Sequence, residues 1–311
     1  MRSYGKGVYI TLLIFILCVF TAGCREKQDV KDQAAKASVN EEKVQATAEE
    51  VVVQPNEKGT AIIKNLKKED GLTRINDNIV VNTDPTVVKV NSTLVYSGKE
   101  AVLIDTGADT NEAKRMKDFI QKNSLKLTNI IFTHYHFDHV SLQPEFAAKD
   151  TKLIRGENIT DGQEIKVGDK TLRLIKTPGH DEDHDISVEI VDYNILVAGD
   201  IVLNCEIPIF NSAQLIPKLK SSLEIIKKKE YDAIIPGHGE LIEPRKAVQR
   251  NLDYINNLER YIDKIIDKGK SEDEVSKISL EQCLKNSNEL DPCSVQSHGG
   301  NVWKMYELKK K

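Results

Sequence analysis

One short stretch concentrates the metal-binding chemistry of this chain. Residues Thr133–His139, Thr-His-Tyr-His-Phe-Asp-His, hold three of the seven histidines and a carboxylate, and both groups are ligands that divalent metals select. The preceding residues, Leu127–Phe132, read as a short buried strand. His134 and His136 leave its end in extended backbone, where positions two apart share a face. The spacing predicts that these two histidines bind one metal and that a second position beside it is reached by Asp138 and His139.

The motif follows an alternating pattern of strands and a helix. Thr86–Tyr96 and Ala101–Asp105 are predicted to form a hairpin around a Gly98-Lys99 turn. A helix capped by Asp109 or Thr110 then runs to about Gln121. The order strand, helix, strand implies a crossover and a parallel pair, which places the histidine motif at the carboxyl end of its strand.

The second half of the chain repeats this pattern loosely, so each half offers a sheet with covering helices. Five further strands are predicted before residue 200 and one after it: Lys152–Arg155, Gln163–Val167, Leu172–Ile175, Ile186–Val191, Ile195–Ala198 and Tyr231–Ile235. Helices are predicted from Ser212 or Gln214 to Lys229, from Arg245 to Asp267, and after a capping box at Ser271-Glu-Asp-Glu274.

Three later positions complete the set of candidate ligands. His180 stands in Thr-Pro-Gly-His, Asp200 in Ala-Gly-Asp and His238 in Pro-Gly-His-Gly. Each follows a predicted strand, and two of them lie in Gly/Pro turns where backbone can approach closely. One scattered histidine or aspartate would by itself mean little.

With these residues in place, the chain resembles the metallo-β-lactamase superfamily, whose signature is His-x-His-x-Asp-His followed by a His, an Asp and a His at strand ends. The likeness covers about Thr86 to Gly239. It implies an α/β fold of the four-layer αββα sandwich type. It also implies a first metal held by His134, His136 and His180, a second held by Asp138, His139 and His238, and Asp200 as a bridge. Zinc is the default metal, and manganese or iron also suit these ligands.

The chemistry of such a site follows from its charge. Two dications about 3.5–4 Å apart repel each other, so a shared carboxylate and a bridging hydroxide are needed between them. The bridging water, with its pKa lowered to about 7, is the expected nucleophile. Asp138 is the candidate to take and return the proton. Tyr135 either donates to the oxyanion or packs beside the strand end.

Other residues near the motif have two interpretations each. Asp105 resembles the family's buried aspartate that orients a ligand histidine, or it caps a helix. His184 is spaced as in some lactonase-like members, or it is a surface residue. Cys283 and Cys293 can pair outside the cytosol, whereas Cys205 either lies buried as a small apolar residue or lines the site.

The substrate class is narrowed by two features. A bridging Asp200 resembles the lactonase and glyoxalase II branches, whereas antibiotic-destroying members generally lack it. The carboxylates of Asp181-Glu182-Asp183 would repel polyanions and argue against a nuclease. We expect a metal-dependent hydrolase of a small ester, lactone or thioester. The alternatives are a β-lactamase or phosphodiesterase of the same fold, and a lipoprotein that binds metal or ligand without catalysis.

The N-terminus predicts the location. Residues 1–24 combine a basic start, a short apolar run and Thr-Ala-Gly-Cys, which resembles a bacterial lipobox. Cys24 would become a palmitate-bearing lipid anchor at the outer face of the cell membrane; an uncleaved signal anchor is the alternative. Residues 25–58 are too polar to bury a core and read as a disordered tether before a hydrolase domain at 59–311.

Partners other than a small-molecule substrate and the membrane are not indicated. The net charge is −4, from 44 basic and 48 acidic residues, and the folded part has no long basic block. This balance does not suggest nucleic acid as a partner. The oligomeric state is left open by the sequence.

Overall fold

The structure is a computed structural model, and it describes residues 57–83, 89–181, 183–204, 206–241, 244–284 and 292–310. The predicted signal peptide with Cys24, nearly all of the tether, Glu182 and Cys205 lie outside the described residues, as does the side chain of Cys293. The described residues belong to one unit, Val51–Lys311. Within them, no helix combines the length and the apolar character needed to cross a membrane.

The first sheet has seven strands in chain order. Its strands are β1 Lys67–Glu69, β2 Leu72–Asn76, β3 Ile79–Thr83, β4 Asn91–Ser97, β5 Glu100–Ile104, β6 Lys126–Ile131 and β7 Lys152–Ile154. Neighbours are antiparallel from β1 to β5, and β5, β6 and β7 are parallel. The predicted hairpin and the parallel pair after it are confirmed.

Four helices lie in this half: α1 Glu57–Lys64, α2 Thr110–Lys122, α3 Phe137–Val140 and α4 Gln143–Phe146. The predicted helix is α2, and its cap is Asp109, whose Oδ1 accepts from the amides of Asn111 and Glu112 at 2.8 and 3.1 Å. Met116 and Phe119 of α2 pack on the outer face of the first sheet. The helix therefore provides the crossover between β5 and β6.

The second sheet has five strands in the order β12, β11, β10, β9, β8. Their bounds are β8 Glu164–Val167, β9 Lys170–Lys176, β10 Ile186–Ile190, β11 Ile195–Gly199 and β12 Ala233–Pro236. Only β11 and β12 are parallel among these pairs, and α5 Ile216–Lys228 connects them. The chain ends in α6 Pro244–Asp267, α7 Glu272–Val275, α8 Leu280–Cys283 and α9 Pro292–Lys309. Short 3₁₀ helices lie at Gly156–Asn158, Val191–Tyr193 and Ala213–Leu215.

Three apolar clusters stack these elements into four layers. One joins the inner faces of the two sheets, for example Val95 and Ile104 against Leu174 and Val188. A second joins the first sheet to α2, and the third joins the second sheet to α5, α6 and α9. Each buried aliphatic side chain in such a layer stabilises the fold by about 1.5–3 kcal/mol. The αββα sandwich expected from the resemblance is confirmed.

One local prediction was wrong. Ser271 precedes α7, but its side chain makes no capping hydrogen bond. The capping box lies at Ser279 and Gln282, where each side chain bonds the other residue's amide at the start of α8. Strands β1 to β3 and helix α9 were not predicted from the sequence.

Candidate metal centre

The histidine motif changes from strand to helix within a few residues. Strand β6 ends at Ile131, and His136 has extended backbone (φ −61°, ψ 145°) as the residue before α3. Asp138 and His139 lie in the single turn of α3. The motif contributes His134 and His136 to one group of candidate ligands and Asp138 and His139 to another, as the spacing predicted.

The other three candidate ligands come from ends of the second sheet. His180 follows β9, while Asp200 and His238 follow the parallel strands β11 and β12, which end at the same edge. Gly237 lies so close to Asp200 that a Cβ on it would stand 1.9 Å from the Asp200 Oδ1 atom. Only glycine leaves room for the carboxylate there, which is the physical reason for the Gly/Pro turn before His238.

The structure brings all seven predicted site residues together in two groups. Within each group the candidate ligand atoms lie within 4.8 Å of one another: His134, His136, His180 and Asp200 in one, and Asp138, His139 and His238 in the other. His180 Nε2 is 3.1 Å from His136 Nδ1 and 3.3 Å from Asp200 Oδ2. His238 Nε2 is 3.3 Å from both Asp200 Oδ2 and Asp138 Oδ2.

These spacings fit a divalent metal. Ligand atoms about 2.0–2.1 Å from a tetrahedral metal are separated from one another by about 3.4 Å. One buried ligand atom, His134 Nε2, also has no hydrogen-bond partner among the described residues. A buried polar atom without a partner is costly, and a bound cation would satisfy this atom. The donor set therefore suits divalent cations.

Burial and charge divide the histidines into two kinds. Burial lowers the pKa of His134 well below its usual value and that of His180 to about 4, so both rings are neutral and offer lone pairs. Burial also opposes charge on His238, but Asp200 and Asp138 outweigh it and raise the pKa to about 12. Those carboxylates stabilise positive charge at His238, so a bound divalent metal can replace the proton on this ring.

Asp105 has the orienting role rather than the capping one. Its Oδ2 atom accepts from Thr133 Oγ1 at 2.7 Å and lies 2.9 Å from His139 Nδ1, while its Oδ1 accepts from the Thr133 amide at 2.8 Å. The residue is buried and has a left-handed backbone (φ +56°). With Nδ1 bound to Asp105, His139 directs Nε2 toward the metal position. Helix α2 is capped by Asp109 instead.

Sequence reasoning missed an equivalent support for His180. One oxygen of Asp185, Oδ2, accepts from three successive amides, those of Gly179, His180 and Asp181, at 3.1, 2.8 and 3.1 Å. Asp185 is buried and fixes the loop that carries His180. An aspartate a few residues after a Gly-His turn often accepts hydrogen bonds from the turn's amides, so Asp185 could have been predicted to support His180. The sequence did not single it out, because several other carboxylates lie in the same stretch.

The acidic residues after His180 should repel anions less strongly than the composition of the run predicted. Asp181 Oδ1 is 3.2 Å from His136 Nε2, and Asp183 forms an ion pair with Lys218. Two of its carboxylates are therefore engaged by protein groups. Asp181 holds the His136 ring through Nε2, and the argument of the acidic run against polyanionic substrates is correspondingly weaker.

Tyr135, His184, His298 and Cys283 belong to neither ligand group. The Tyr135 hydroxyl donates to the Glu157 carboxylate at 2.6 Å, so packing and this bond explain its position better than an oxyanion contact does. His184 is exposed, as its surface interpretation required. His298 is buried between Tyr254 and the Ile278 carbonyl. Cys283 is a buried free thiol whose pKa burial raises to about 12.

Comparison with known proteins agrees with this geometry. The metallo-beta-lactamase superfamily profile matches residues 85–157 and 143–238, a region that contains all seven candidate ligands. The chain belongs to the metallo-beta-lactamase superfamily. Its fold, its ligand set and its lactamase-like and thioesterase relatives make it a hydrolase of this superfamily.

Individual relatives are distant. A Beta-lactamase-like protein 2 homolog from Caenorhabditis elegans is 28% identical over 69% of this chain and 76% of its own length. The Atrochrysone carboxyl ACP thioesterase of Aspergillus fumigatus is 26% identical over 57% of this chain and 44% of its own. Among solved structures, the sec-alkylsulfatase Pisa1 from Pseudomonas sp. has a TM-score of 0.61 at 13% identity, covering 77% of this chain and 50% of that one. The chain thus spans about half the length of the last two proteins, and the structural likeness shows the fold alone.

Proposed function

We propose that the protein hydrolyses small esters, lactones or thioesters with two divalent metal ions, zinc by default and manganese or iron as alternatives. The observation that carries the proposal is the position of Asp200. Its Oδ2 atom is 3.3 Å from the nearest nitrogens of both His180 and His238, and its Oδ1 atom is 3.3 Å from His139 Nε2. One carboxylate therefore contacts both ligand groups, as a shared ligand between two cations must.

The residues of the chain prepare the site for acyl transfer to water. Bound divalent ions would supply Lewis acidity and a water of lowered pKa. Asp138 is ionised: burial opposes its charge, but the bond to His238 and the nearby His139 lower its pKa. Its carboxylate, partly exposed beside the second ligand group, can accept a proton from an incoming water and return it to a leaving group.

The surface beside the ligands favours an apolar or neutral substrate. Phe137, between the ligands His136 and Asp138 in sequence, is 74% exposed. Leaving a Phe side chain in water forgoes about 1.5–3 kcal/mol of burial free energy, which a substrate's acyl or aryl group can recover. The thioesterase named among the relatives supports keeping thioesters beside esters and lactones.

A substrate panel tests this function. Purified protein, loaded with zinc, manganese or iron, is given aryl esters of increasing acyl length, acyl-homoserine lactones, acyl thioesters, a cephalosporin and a phosphodiester. We expect turnover of the first three classes, loss of turnover after chelation, and recovery on adding metal back. Turnover confined to the cephalosporin or the phosphodiester would replace the proposal with one of the alternative functions. No turnover of any substrate by metal-loaded protein would favour a non-catalytic binding role.

Phe137→Ala sharpens the substrate class. It is expected to raise KM increasingly with acyl length, by up to about 10-fold for the longest chains, since about 1.4 kcal/mol corresponds to tenfold. Trp303→Ala provides the control, because Trp303 is also an exposed aromatic residue, at 44%, but lies on α9. Equal effects of the two substitutions at every acyl length would contradict a substrate contact at Phe137.

The location is proposed separately, from the N-terminal sequence. We infer that the protein is lipid-anchored through Cys24 at the outer face of the membrane, with residues 25–58 as a tether. A flexible coil of about 35 residues would allow the domain to lie roughly 30 Å from its anchor. Cys24→Ser is expected to abolish palmitate labelling and to move the protein from the membrane fraction. An unchanged membrane fraction without labelling would favour the signal-anchor alternative.

A further inference from the structure

Two buried asparagines from the C-terminal helices hold one loop by its backbone. Asn251 of α6 accepts from the Leu203 amide at 2.9 Å and donates to the Leu203 carbonyl at 3.1 Å in the Leu203–Asn211 loop, which the structure describes at residues 203–204 and 206–211. Asn301 of α9 accepts from the Phe210 amide at 2.9 Å and donates to the Pro208 carbonyl at 2.7 Å. Both asparagines are 1% exposed. Buried backbone N–H and C=O groups need hydrogen-bond partners, and an irregular segment has no neighbouring strand or helical turn to supply them. The two side-chain amides supply those partners here.

The other side of the same loop contacts two candidate metal ligands. The Asn204 amide donates to the His238 carbonyl at 3.1 Å. Asn211 Nδ2 donates to the His180 carbonyl at 2.9 Å. Glu206 is buried, and its Oε1 atom lies 3.9 Å from His238 Nδ1. The loop thus lies between the C-terminal helices and one ligand from each metal group.

Asn301 is itself fixed by a buried network. The Ile278 carbonyl can only accept, so His298 Nε2, 3.0 Å away, carries the hydrogen. His298 Nδ1 then accepts from the Tyr254 hydroxyl at 3.0 Å, and that oxygen accepts from Asn301 Nδ2 at 3.1 Å. Buried polar networks whose members are all satisfied are rigid and specify one arrangement. Asn301 therefore holds Pro208 and Phe210 in a defined position.

We propose that Asn301 is a positioning residue for the metal centre, acting through the Leu203–Asn211 loop on His180 and His238. The inference deepens the proposed function and rests on its metal site. It gives the C-terminal helices, which lie outside the region matched by the superfamily profile, a part in setting the geometry of that site. Asn301 touches neither metal ligand directly.

Metal binding provides the test, with Asn257→Ala as a matched control. Asn257 lies on α6 and donates to the Cys283 carbonyl at 2.9 Å, without a bond to the loop. Asn301→Ala is expected to weaken divalent-metal binding by up to about 10-fold, since groups bonded directly to a metal ligand typically contribute about 10- to 100-fold and Asn301 acts one step further away. It should also shift the visible absorption of the cobalt-substituted protein. Asn257→Ala should change neither, even where both variants lose similar thermal stability.

A second variant covers poor folding of the alanine protein. Asn301→Asp keeps the acceptor for Phe210 but loses the donor to both Pro208 and Tyr254, so a loss of affinity and the same direction of spectral shift are expected. Folded variants of Asn301 with the metal affinity and cobalt spectrum of the Asn257→Ala control would overturn the proposal. Failure of the proposed function looks different, since a wild-type protein that binds metal but turns over no substrate leaves these affinities and spectra measurable.

Discussion

The two halves of the candidate metal centre are built in different ways. Four candidate ligands come from the contiguous motif at the end of β6, where local backbone sets their directions and one buried carboxylate, Asp105, supports His139. The other three, His180, Asp200 and His238, come from three separate strand ends of the second sheet. Their positions depend on a glycine contact, a loop carboxylate and the Leu203–Asn211 loop. The first half is thus a local structure, and the second is a product of the whole fold.

Exposure adds a second difference. Among the seven candidate ligands, the side chains of His136 and Asp138 are the most exposed, at 33% and 26%. Both belong to the contiguous motif, so we propose that substrate reaches the centre from this side, where Phe137 also lies. The other two residues of the motif, His134 and His139, are as buried as the dispersed half, at 2% and 0%, and form the closed floor of the site with it. The changes below test this difference between the contiguous and the dispersed half, starting with the largest expected effect.

Gly237→Ala should damage the dispersed half most severely. Its Cβ would stand 1.9 Å from Asp200 Oδ1 and 2.8 Å from the Asp200 amide nitrogen, so the carboxylate shared by both ligand groups must move. We expect hydrolysis to fall by more than about 10³-fold, beyond the loss typical of a single hydrogen-bond donor in an active site. Metal analysis should show loss of metal from both groups, because both use Asp200.

Gly299→Ala is the control for that substitution. A Cβ on Gly299 in α9 would meet no atom within 4 Å, and alanine in a helix is favoured over glycine by about 1 kcal/mol. Activity and metal content should stay at wild-type levels, with equal or higher thermal stability. Wild-type activity of Gly237→Ala would show that the strand-end contact does not hold Asp200 in place.

Asp105→Ala and Asp185→Ala each remove one buried carboxylate that holds a candidate ligand, His139 in the contiguous half and His180 in the dispersed half. The first removes the acceptor behind His139, and the second leaves the amides of Gly179, His180 and Asp181 without their carboxylate. Each should lower metal affinity by about 10- to 100-fold. Asp105→Ala should weaken the group with Asp138, His139 and His238, and Asp185→Ala the group with His180. Stepwise metal titration distinguishes these results, and the same group weakened in both variants would break the comparison.

Proton release on metal binding tests the charge shared by the two halves. His139 and His238 bring their Nε2 atoms to 3.3 Å, one from each half, and nearby carboxylates raise their pKa values to about 10 and about 12 despite burial. Below those values the two rings carry at least one proton that a metal must displace. Between pH 6 and 8 the apparent affinity should rise by at least about tenfold per pH unit. Calorimetry in buffers of different ionisation enthalpy should count at least one proton released, and a count of zero would contradict this charge state.

The same division explains which parts could be predicted from the sequence. His134, His136, Asp138 and His139 identify themselves by spacing, and the strand-helix-strand pattern around them fixes their place in the fold. His180, Asp200 and His238 needed the family resemblance to be chosen from among other polar residues at strand ends. Asp185, Asn251 and Asn301 could not be found, because each acts through hydrogen bonds to backbone groups that only the folded chain brings near. Strands β1 to β3 were missed because charged and Asn residues interrupt their apolar alternation.

Tyr135→Phe has the smallest expected effect and tests whether membership of the contiguous motif is enough for a role in catalysis. The Tyr135 hydroxyl donates to Glu157 at 2.6 Å, and Arg155 lies over the ring, 5.5 Å from its centroid. Since the hydroxyl is directed to an exposed carboxylate, its removal should change kcat by less than about twofold and unfolding free energy by about 0.5–1.5 kcal/mol at most. A loss of 10²-fold in kcat with unchanged KM would instead assign the hydroxyl to the transition state. The contiguous half would then supply a catalytic hydrogen-bond donor as well as metal ligands. The two halves would differ in the chemistry they perform and also in the way they are built.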